Sequence, residues 1–110
     1  MKKNNQTLSL SVVIPVYNEE QTIKTVIRTV SNSKIVNEIV IVDDCSIDNS
    51  VPIIKDTIDK TLQEKTHLNI LFSENKRNLG KGASLRAGFK LATCDVIVIQ
   101  DADLEYDPNE

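Results

Sequence analysis

The sequence has only two cysteines and one histidine, and it lacks an apolar run long enough to cross a membrane. Cys45 and Cys94 form no C-x-x-C pair and have no histidine at ligand spacing, so neither a disulfide framework nor a zinc site is expected. A membrane span needs about 20 consecutive apolar residues. The N-terminal apolar run, which Pro15 interrupts, is also too short and too polar for a signal peptide. We therefore expect a reduced, cytosolic protein.

The chain also lacks an excess of positive charge. It carries 13 basic and 16 acidic residues, which gives a formal net charge of −3. Nucleic-acid-binding proteins and polybasic membrane anchors need the opposite balance, so no nucleic-acid partner is expected. An apolar content of 40% is enough for a core, and 110 residues fit one small domain that spans residues 1–110.

Short β-branched runs alternate with helical patterns along the whole chain. Periodicity predicts one helix with Asn18 as its N-cap, a second over about 51–65, and a third over about 81–92 with Leu85, Phe89 and Ala92 facing inward. The predicted strands are Leu10 to Ile14, Glu38 to Val42, Leu68 to Phe72 and Val96 to Ile99. Continuous apolar runs are typical of strands covered on both faces. This alternation predicts an α/β fold with a mainly parallel sheet and right-handed crossovers.

Polar side chains follow each predicted strand. In parallel α/β sheets, ligands bind beyond the carboxyl ends of the strands, near the point where the strand order reverses. Four segments, distant in sequence, are therefore expected on one rim: residues 15–19, 43–46, 73–75 and 101–103. The polar chemistry of the chain lies where this fold places a ligand.

Acidic residues alternate after the last predicted strand, at Asp101, Asp103 and Glu105. Their oxygens suit a hard cation such as Mg²⁺ or Mn²⁺ that keeps other positions for water and phosphate. A solvated acidic loop is an equally good reading of this D-x-D motif alone. An EF-hand is excluded, because Tyr106 occupies the glycine position of that loop, its twelfth position lies beyond residue 110, and a strand precedes it.

Two further segments at the rim are polar. Asp43 and Asp44 end the second strand, and helix capping by Asp48 or Ser50 does not explain two adjacent acids there. One of the two is expected to face the cleft, where a carboxylate can accept a hydrogen bond from a nucleobase or a ribose.

The third helix begins in the segment Asn78, Leu79, Gly80, Lys81, Gly82, Ala83, which matches neither the P-loop nor the dinucleotide-binding fingerprint. Its small residues would let backbone amides approach an anion, with added positive charge from Arg77, Lys81 and Arg86. Alternatively, Gly82 and Gly88 serve only close helix-to-sheet packing.

Four motifs in order carry a resemblance to a known family. They are VVIPVYNEE at 12–20, EIVIVDD followed by Ser46 at 38–46, NLGKG at 78–82 and QDAD at 100–103. Together they resemble the family 2 glycosyltransferases with the GT-A fold, most closely the polyprenyl-phosphate (dolichol-phosphate) hexosyltransferase branch. The resemblance implies a Rossmann-like three-layer α/β sandwich, of which this chain holds the N-terminal, nucleotide-sugar-binding part and ends after the fourth strand.

The resemblance also implies roles for individual residues. It places Pro15, Tyr17 and Glu19 against the nucleoside, Asp44 on the base with Asp43 beside it, and Lys81 and Ala102 in the substrate site. Asp101 would face the ribose and the metal, Asp103 would be the principal ligand of Mg²⁺ or Mn²⁺, and Glu105 would supply a further oxygen. Replacing Asp44 by Asn is then expected to weaken nucleoside diphosphate binding by roughly 1.5–3 kcal/mol, with the melting temperature nearly unchanged.

The implied activity is inverting, metal-dependent transfer of a hexose from UDP or GDP to an acceptor. In the closest branch the acceptor is a polyprenyl phosphate, which implies a cytoplasmic protein peripheral to the inner face of the membrane. The general base is expected downstream of residue 110, so the catalytic residues are unknown.

The alternative function is that of a catalytically silent sugar-nucleotide or metal-binding fragment. A Mg²⁺-dependent phosphohydrolase is disfavoured, because Pro15 and Val16 stand where its nucleophilic aspartate belongs. Exposed apolar surface would favour a homo-oligomer.

Overall fold

The computed structural model describes residues 8–103, in which four strands alternate with three helices. The elements in chain order are β1 (Leu10–Val16), α1 (Ile23–Ser31), β2 (Glu38–Asp43), α2 (Ser50–Glu64), β3 (Asn69–Glu74), α3 (Lys81–Leu91) and β4 (Val96–Ile99). The predicted α/β class and element order are confirmed, and each predicted strand boundary lies within two residues of the observed one. No helix among these residues is both long and apolar enough to cross a membrane.

The four strands form one parallel sheet in the order β3-β2-β1-β4. The chain moves from β1 outward to β3 and then crosses back to place β4 on the other side of β1. The strand order therefore reverses at β1, and the carboxyl ends of β1 and β4 lie next to each other at the reversal.

Side chains alternate across the sheet and build a core on each face. On one face, Ile14 of β1 and Ile41 of β2 pack with Ile27 of α1 and Ile54 of α2. On the opposite face, Val13, Val40 and Val42 pack against Leu85 and Ala87 of α3 and against Ala92, which follows the helix. This period-two alternation gives the three layers expected of the sandwich.

Gly88 lets α3 approach the sheet closely. A Cβ atom at this position would lie 2.5 Å from Cγ1 of Val13, whereas at Gly82 the nearest atom is Nη1 of Arg86 at 3.5 Å. The packing explanation therefore holds for Gly88 and does not hold for Gly82.

Two of the predicted burial patterns are wrong. The four residues of β4 are 37–48% exposed, because β4 is an edge strand and no described element covers it as α1 to α3 cover β1 and β2. Phe89 is 42% exposed rather than inward, since Ser84 and Gly88 occupy the buried face of α3.

The predicted N-cap of α1 is also wrong. The helix begins at Ile23 after Thr22, and Asn18 instead adopts a left-handed conformation with φ of 53°. Its side-chain oxygen accepts hydrogen bonds from the backbone N–H groups of Ile47 at 2.9 Å and Asp48 at 3.4 Å. Asparagine tolerates this backbone region better than most residues. Asn18 therefore joins the loop after β1 to the loop after β2.

A buried carboxylate stabilises the end of the sheet at which the strands begin, opposite the rim formed by their carboxyl ends. Glu38, 1% exposed, accepts hydrogen bonds from Ser11 Oγ at 2.6 Å, Asn69 Nδ2 at 2.7 Å, and Thr93 N and Oγ1 at 2.8 and 2.9 Å. Burial alone would raise the pKa of Glu38, but the hydrogen bonds from Ser11, Thr93 and Asn69 outweigh it and hold the pKa below its ordinary value. This network joins β1, β2, β3 and the segment that leads into β4.

Candidate functional site

A cavity of about 360 Å³ opens beyond the carboxyl ends of β1 and β4, where the strand order reverses. This volume lies within the range of small-molecule sites. Seven predicted site residues line it together: Pro15, Tyr17, Glu19, Asp44, Lys81, Asp101 and Ala102, with the predicted metal ligand Asp103 beside them. Segments up to 88 positions apart in sequence thus meet at one site, as residues 15 and 103 do.

Asp44 forms the wall of the cavity and holds a loop in place. Its Oδ1 accepts from the backbone N–H of Leu79 at 2.8 Å and from Asn75 Nδ2 at 2.9 Å, and its Oδ2 accepts from the backbone N–H of Gly80 at 2.9 Å. Burial would raise the pKa of Asp44, but these hydrogen bonds outweigh it and the pKa lies below its ordinary value. Only 4% of the residue is exposed. The carboxylate is therefore charged and already bonded to the loop before α3.

These hydrogen bonds occupy the backbone amides that were predicted to approach an anion at the N-terminus of α3. Gly80, with φ of 97°, is the N-cap of α3, and its N–H group and that of Leu79 both point at Asp44. The anion that these amides bind is therefore a carboxylate of the protein itself. A bound phosphate would have to rely on other groups, and Lys81 is the cation of this segment that lines the cavity.

Asp43 lies outside the cavity lining. Its carboxylate accepts from the backbone N–H of Ser46 at 2.8 Å and from Ser46 Oγ at 2.6 Å, so it shapes the turn after β2. The same turn is also joined to the loop after β1, because Ser46 Oγ accepts a hydrogen bond from the backbone N–H of Asn18 at 2.8 Å. Of the two adjacent acids, Asp44 faces the cavity and Asp43 faces the turn.

Lys81 and Asp101 form an ion pair across the mouth of the site. Lys81 Nζ lies 2.6 Å from Asp101 Oδ1, and the two side chains are 61% and 52% exposed. Asp101 follows β4, whereas Lys81 is the first residue of α3. The ion pair therefore connects the two elements that flank the cavity.

Thr22 fastens the D-x-D segment to the start of α1. Its hydroxyl donates to the carbonyl oxygen of Ala102 at 2.7 Å and lies 3.2 Å from Oε2 of Glu19. Ala102 is buried in the core, so the backbone between the two aspartates is anchored on both sides. The chain thereby presents Asp101 and Asp103 as a pair on a fixed backbone.

Asp101 and Asp103 supply only part of the ligand set that a divalent cation needs. Among residues 8–103, no three His, Cys, Asp or Glu side chains converge on one point, and Glu105 lies outside the described residues. Mg²⁺ is commonly bound by one or two carboxylates together with substrate phosphates and water. Asp101 and Asp103 line a cavity large enough for phosphates, so the donor set fits a cation that is completed by its ligand.

One lining residue was not predicted, and some predicted ones do not line the cavity. Val16 of the predicted rim segment and Asn78 and Gly80 of the predicted loop before α3 complete the wall, together with Ser84, which was not predicted. Ser84 follows Lys81 by three positions on α3, and this helical spacing is the one signal that would have identified it. Arg77 and Arg86 do not line the cavity, and Asn75 acts on it through hydrogen bonds from its Nδ2 to Asp44 Oδ1 at 2.9 Å and to Ser84 Oγ at 3.1 Å.

Comparison with known proteins agrees with the fold. Residues 11–110 match the family described as Glycosyl transferase family 2. The undecaprenyl-phosphate 4-deoxy-4-formamido-L-arabinose transferase of Pectobacterium carotovorum is 37% identical over 106 residues, which are 93% of this chain and 31% of that protein. The enzyme of the same name from Yersinia enterocolitica is 34% identical over 114 residues, covering 100% of this chain and 33% of its own length.

Solved structures show the same architecture. A mannosyltransferase from Pyrobaculum calidifontis, in complex with GDP-Man and Mn²⁺, superposes with a TM-score of 0.75 at 24% identity, over 90% of this chain and 28% of the other. TarS from S. aureus, in complex with UDP, gives a TM-score of 0.73 at 27% identity, over 87% of this chain and 28% of the other. This chain spans about a third of the length of its curated relatives. The family match covers nearly the whole chain, and the protein belongs to glycosyltransferase family 2.

Proposed function

We propose that this chain is the nucleotide-sugar-binding part of an inverting, metal-dependent glycosyltransferase. The observation that carries the proposal is the convergence of Asp44, Lys81, Asp101 and Asp103 on one cavity at the reversal of strand order. Carboxylates and a lysine at this place in an α/β sheet suit a ligand that has both hydroxyl groups and phosphates. Residues 1–110 form the N-terminal portion of the catalytic domain under this proposal.

The donor is a nucleoside diphosphate sugar. The exposed ring of Tyr17 and the buried edge of Asp44 flank the nucleoside, and Glu19 and Pro15 lie on the same wall. Two solved relatives contain UDP and GDP-Man respectively, so both bases are candidates. A hexose is the predicted sugar, and the names of the curated relatives add a formamido-arabinose as a second candidate.

Asp101 and Asp103 would hold Mg²⁺ or Mn²⁺ in this site, with Glu105 as a further ligand. Bound there, the cation would offset the negative charge that develops on the leaving nucleoside diphosphate. Lys81 adds positive charge on the same side of the cavity. The acceptor oxygen would then attack the anomeric carbon from the side opposite the diphosphate. A phosphate oxygen is largely deprotonated near pH 7, so the general base expected beyond residue 110 is needed only for an acceptor that attacks through a hydroxyl group.

The acceptor is a polyprenyl phosphate under this proposal. Support comes from the curated relatives, whose names specify undecaprenyl phosphate. An acceptor with a lipid tail places the reaction at the membrane surface, and we propose a peripheral position on its cytoplasmic face.

The proposal is tested by isothermal titration of the chain with UDP- and GDP-sugars in the presence of Mn²⁺, alongside a transfer assay with undecaprenyl phosphate. Binding together with transfer supports a complete catalyst. Binding without transfer supports the alternative, a catalytically silent donor-binding module. Absence of binding to every donor contradicts both.

We also infer that the 110-residue chain associates with itself through β4. All four residues of this strand are apolar and 37–48% exposed at the edge of the sheet. An exposed apolar edge strand readily pairs with a second strand. Sedimentation velocity should show a dimer that Val98→Lys dissociates, whereas Lys24→Glu, a charge change at an exposed position of α1, should leave it intact.

A further inference from the structure

We propose that Lys81 is an exchangeable counter-ion that makes cation binding at Asp101 depend on the presence of the nucleoside diphosphate. This inference rests on the proposed donor site and adds a regulatory role for one of its residues. In the ligand-free protein the ammonium group of Lys81 occupies an oxygen of Asp101 at 2.6 Å. A cation that approaches Asp101 alone must therefore displace a positive charge that is already there.

The geometry favours exchange over a permanent contact. Both side chains are more than half exposed, so the ion pair is weak and the long lysine side chain can turn to another partner. Lys81 follows Gly80, whose backbone is fixed by Asp44, so the base of the side chain does not move. Its ammonium group can therefore move from Asp101 to a phosphate without rearrangement of the loop.

The exchange couples the two ligands. Once a diphosphate attracts Lys81, Asp101 loses its counter-ion and becomes a better cation ligand, and this gain does not depend on any contact between cation and phosphate. By linkage, the cation raises the affinity for the nucleotide by the same factor. An exposed ion pair contributes about 0.2–1 kcal/mol, which corresponds to about a 1.4- to fivefold effect on binding.

The matched substitutions are Lys81→Met and Arg86→Met. Each removes one positive charge from α3, but Arg86 does not line the cavity. Free Mn²⁺ is measured by electron paramagnetic resonance during titration of the full chain, first without nucleotide and then with UDP or GDP at saturation. Lys81→Met is expected to bind Mn²⁺ alone about two- to fivefold more tightly than the wild type, while its coupling factor between Mn²⁺ and nucleotide falls by the same ratio.

The result that overturns the inference is an affinity for Mn²⁺ alone that Lys81→Met leaves unchanged or lowers. An equal increase in Lys81→Met and Arg86→Met would overturn it as well, because the effect would then be one of net charge rather than of the ion pair. If the wild type binds neither nucleotide in Mn²⁺, the proposed donor site fails and this inference fails with it. If the wild type binds nucleotide normally but Lys81→Met leaves the coupling between Mn²⁺ and nucleotide unchanged, only this inference is overturned and the proposed donor site stands.

Discussion

Gly80 donates its backbone N–H to Oδ2 of Asp44 at 2.9 Å, across 36 positions of sequence. The acceptor is the first residue after β2, and the donor is the N-cap of α3, so this hydrogen bond joins two walls of the cavity. Leu79 donates a second backbone N–H to Oδ1 of the same carboxylate. The residue predicted to bind the nucleobase is therefore also the residue that shapes the loop around it.

Replacement of Asp44 by Asn should destabilise the protein. An amide group would direct N–H toward a backbone N–H and leave a buried donor unsatisfied, which costs about 1–3 kcal/mol of unfolding free energy. Urea unfolding measures this loss. Asp56→Asn is the control, because Asp56 lies on the exposed face of α2 and its ion pair with Lys60 contributes little.

The expectation that Asp44→Asn leaves the melting temperature nearly unchanged therefore disagrees with the structure. That expectation considered only the nucleobase and did not include the three hydrogen bonds to Leu79, Gly80 and Asn75. Equal urea midpoints for the wild type and Asp44→Asn would show that these bonds contribute nothing to stability.

Two glycines of α3 should respond in opposite directions to alanine. In Gly88→Ala the new Cβ would lie 2.5 Å from Val13, so helix and sheet must separate, at a cost of about 1–3 kcal/mol. Gly82→Ala meets only the movable Arg86 side chain at 3.5 Å and should stabilise the helix by about 0.4–1 kcal/mol. Chemical denaturation of Gly88→Ala and Gly82→Ala measures both effects. Adding Val13→Ala to the Gly88→Ala variant should recover part of the lost stability.

The stability of the protein should fall in acid because of Glu38. The folded-state pKa of Glu38 lies below its ordinary value of 4.5, so the unfolded chain binds the proton more readily. The stabilisation is therefore fully present above about pH 5 and is lost as the pH falls through the folded-state pKa. Asp44 and Asp48 also have lowered pKa values and add to the same slope.

Glu38→Gln isolates this contribution. Glutamine places an amide N–H₂ group among four donors, and at neutral pH it should lower the unfolding free energy by roughly 2–4 kcal/mol. Urea midpoints between pH 7 and pH 3 should then vary less in Glu38→Gln than in the wild type. A variant whose stability keeps the full pH dependence would assign acid sensitivity to other carboxylates.

Asp103→Ala should remove the mutual dependence of metal and nucleotide. Calorimetry with UDP and GDP, with and without Mn²⁺, should show that in the wild type the metal and the nucleotide each raise the affinity for the other by the same factor. In the variant this factor should approach one, while Asp56→Ala retains it. Metal-dependent nucleotide binding that survives in Asp103→Ala would contradict the role proposed for Asp103.

Sequence patterns predicted the strands because β-branched runs such as Val96 to Ile99 have few alternatives, and the rim followed from the topology of parallel sheets. They did not predict the exposure of β4, because an apolar strand has the same composition in the centre and at the edge of a sheet. The role of Asn18 was also missed, since its partners Ile47 and Asp48 are about 30 positions away. Local pattern contains no information about such distant hydrogen bonds.

The burial of the charged Glu38 side chain could not be predicted from local sequence for the same reason. In sequence it is the polar first residue of an apolar run, as expected of an exposed strand end. Its burial depends on Ser11, Asn69 and Thr93, which come from three other segments. Lys81 was predicted to contribute positive charge to an anion site, but only the structure shows that its ammonium group pairs with Asp101.

The strand order has a consequence for the folding pathway. The contacts between β1 and β2 join residues about 27 positions apart, whereas those between the start of β1 and β4 join residues 86 apart. Before other structure forms, closing the longer loop costs roughly 1 kcal/mol more in chain entropy. We therefore expect β1, β2 and β3 to assemble in the rate-limiting step and β4 to dock afterwards, with unfolding rates more sensitive to substitutions in β4 than folding rates. Asp101 lies two residues after the end of β4, so the last step of folding would also be the one that brings it to Lys81.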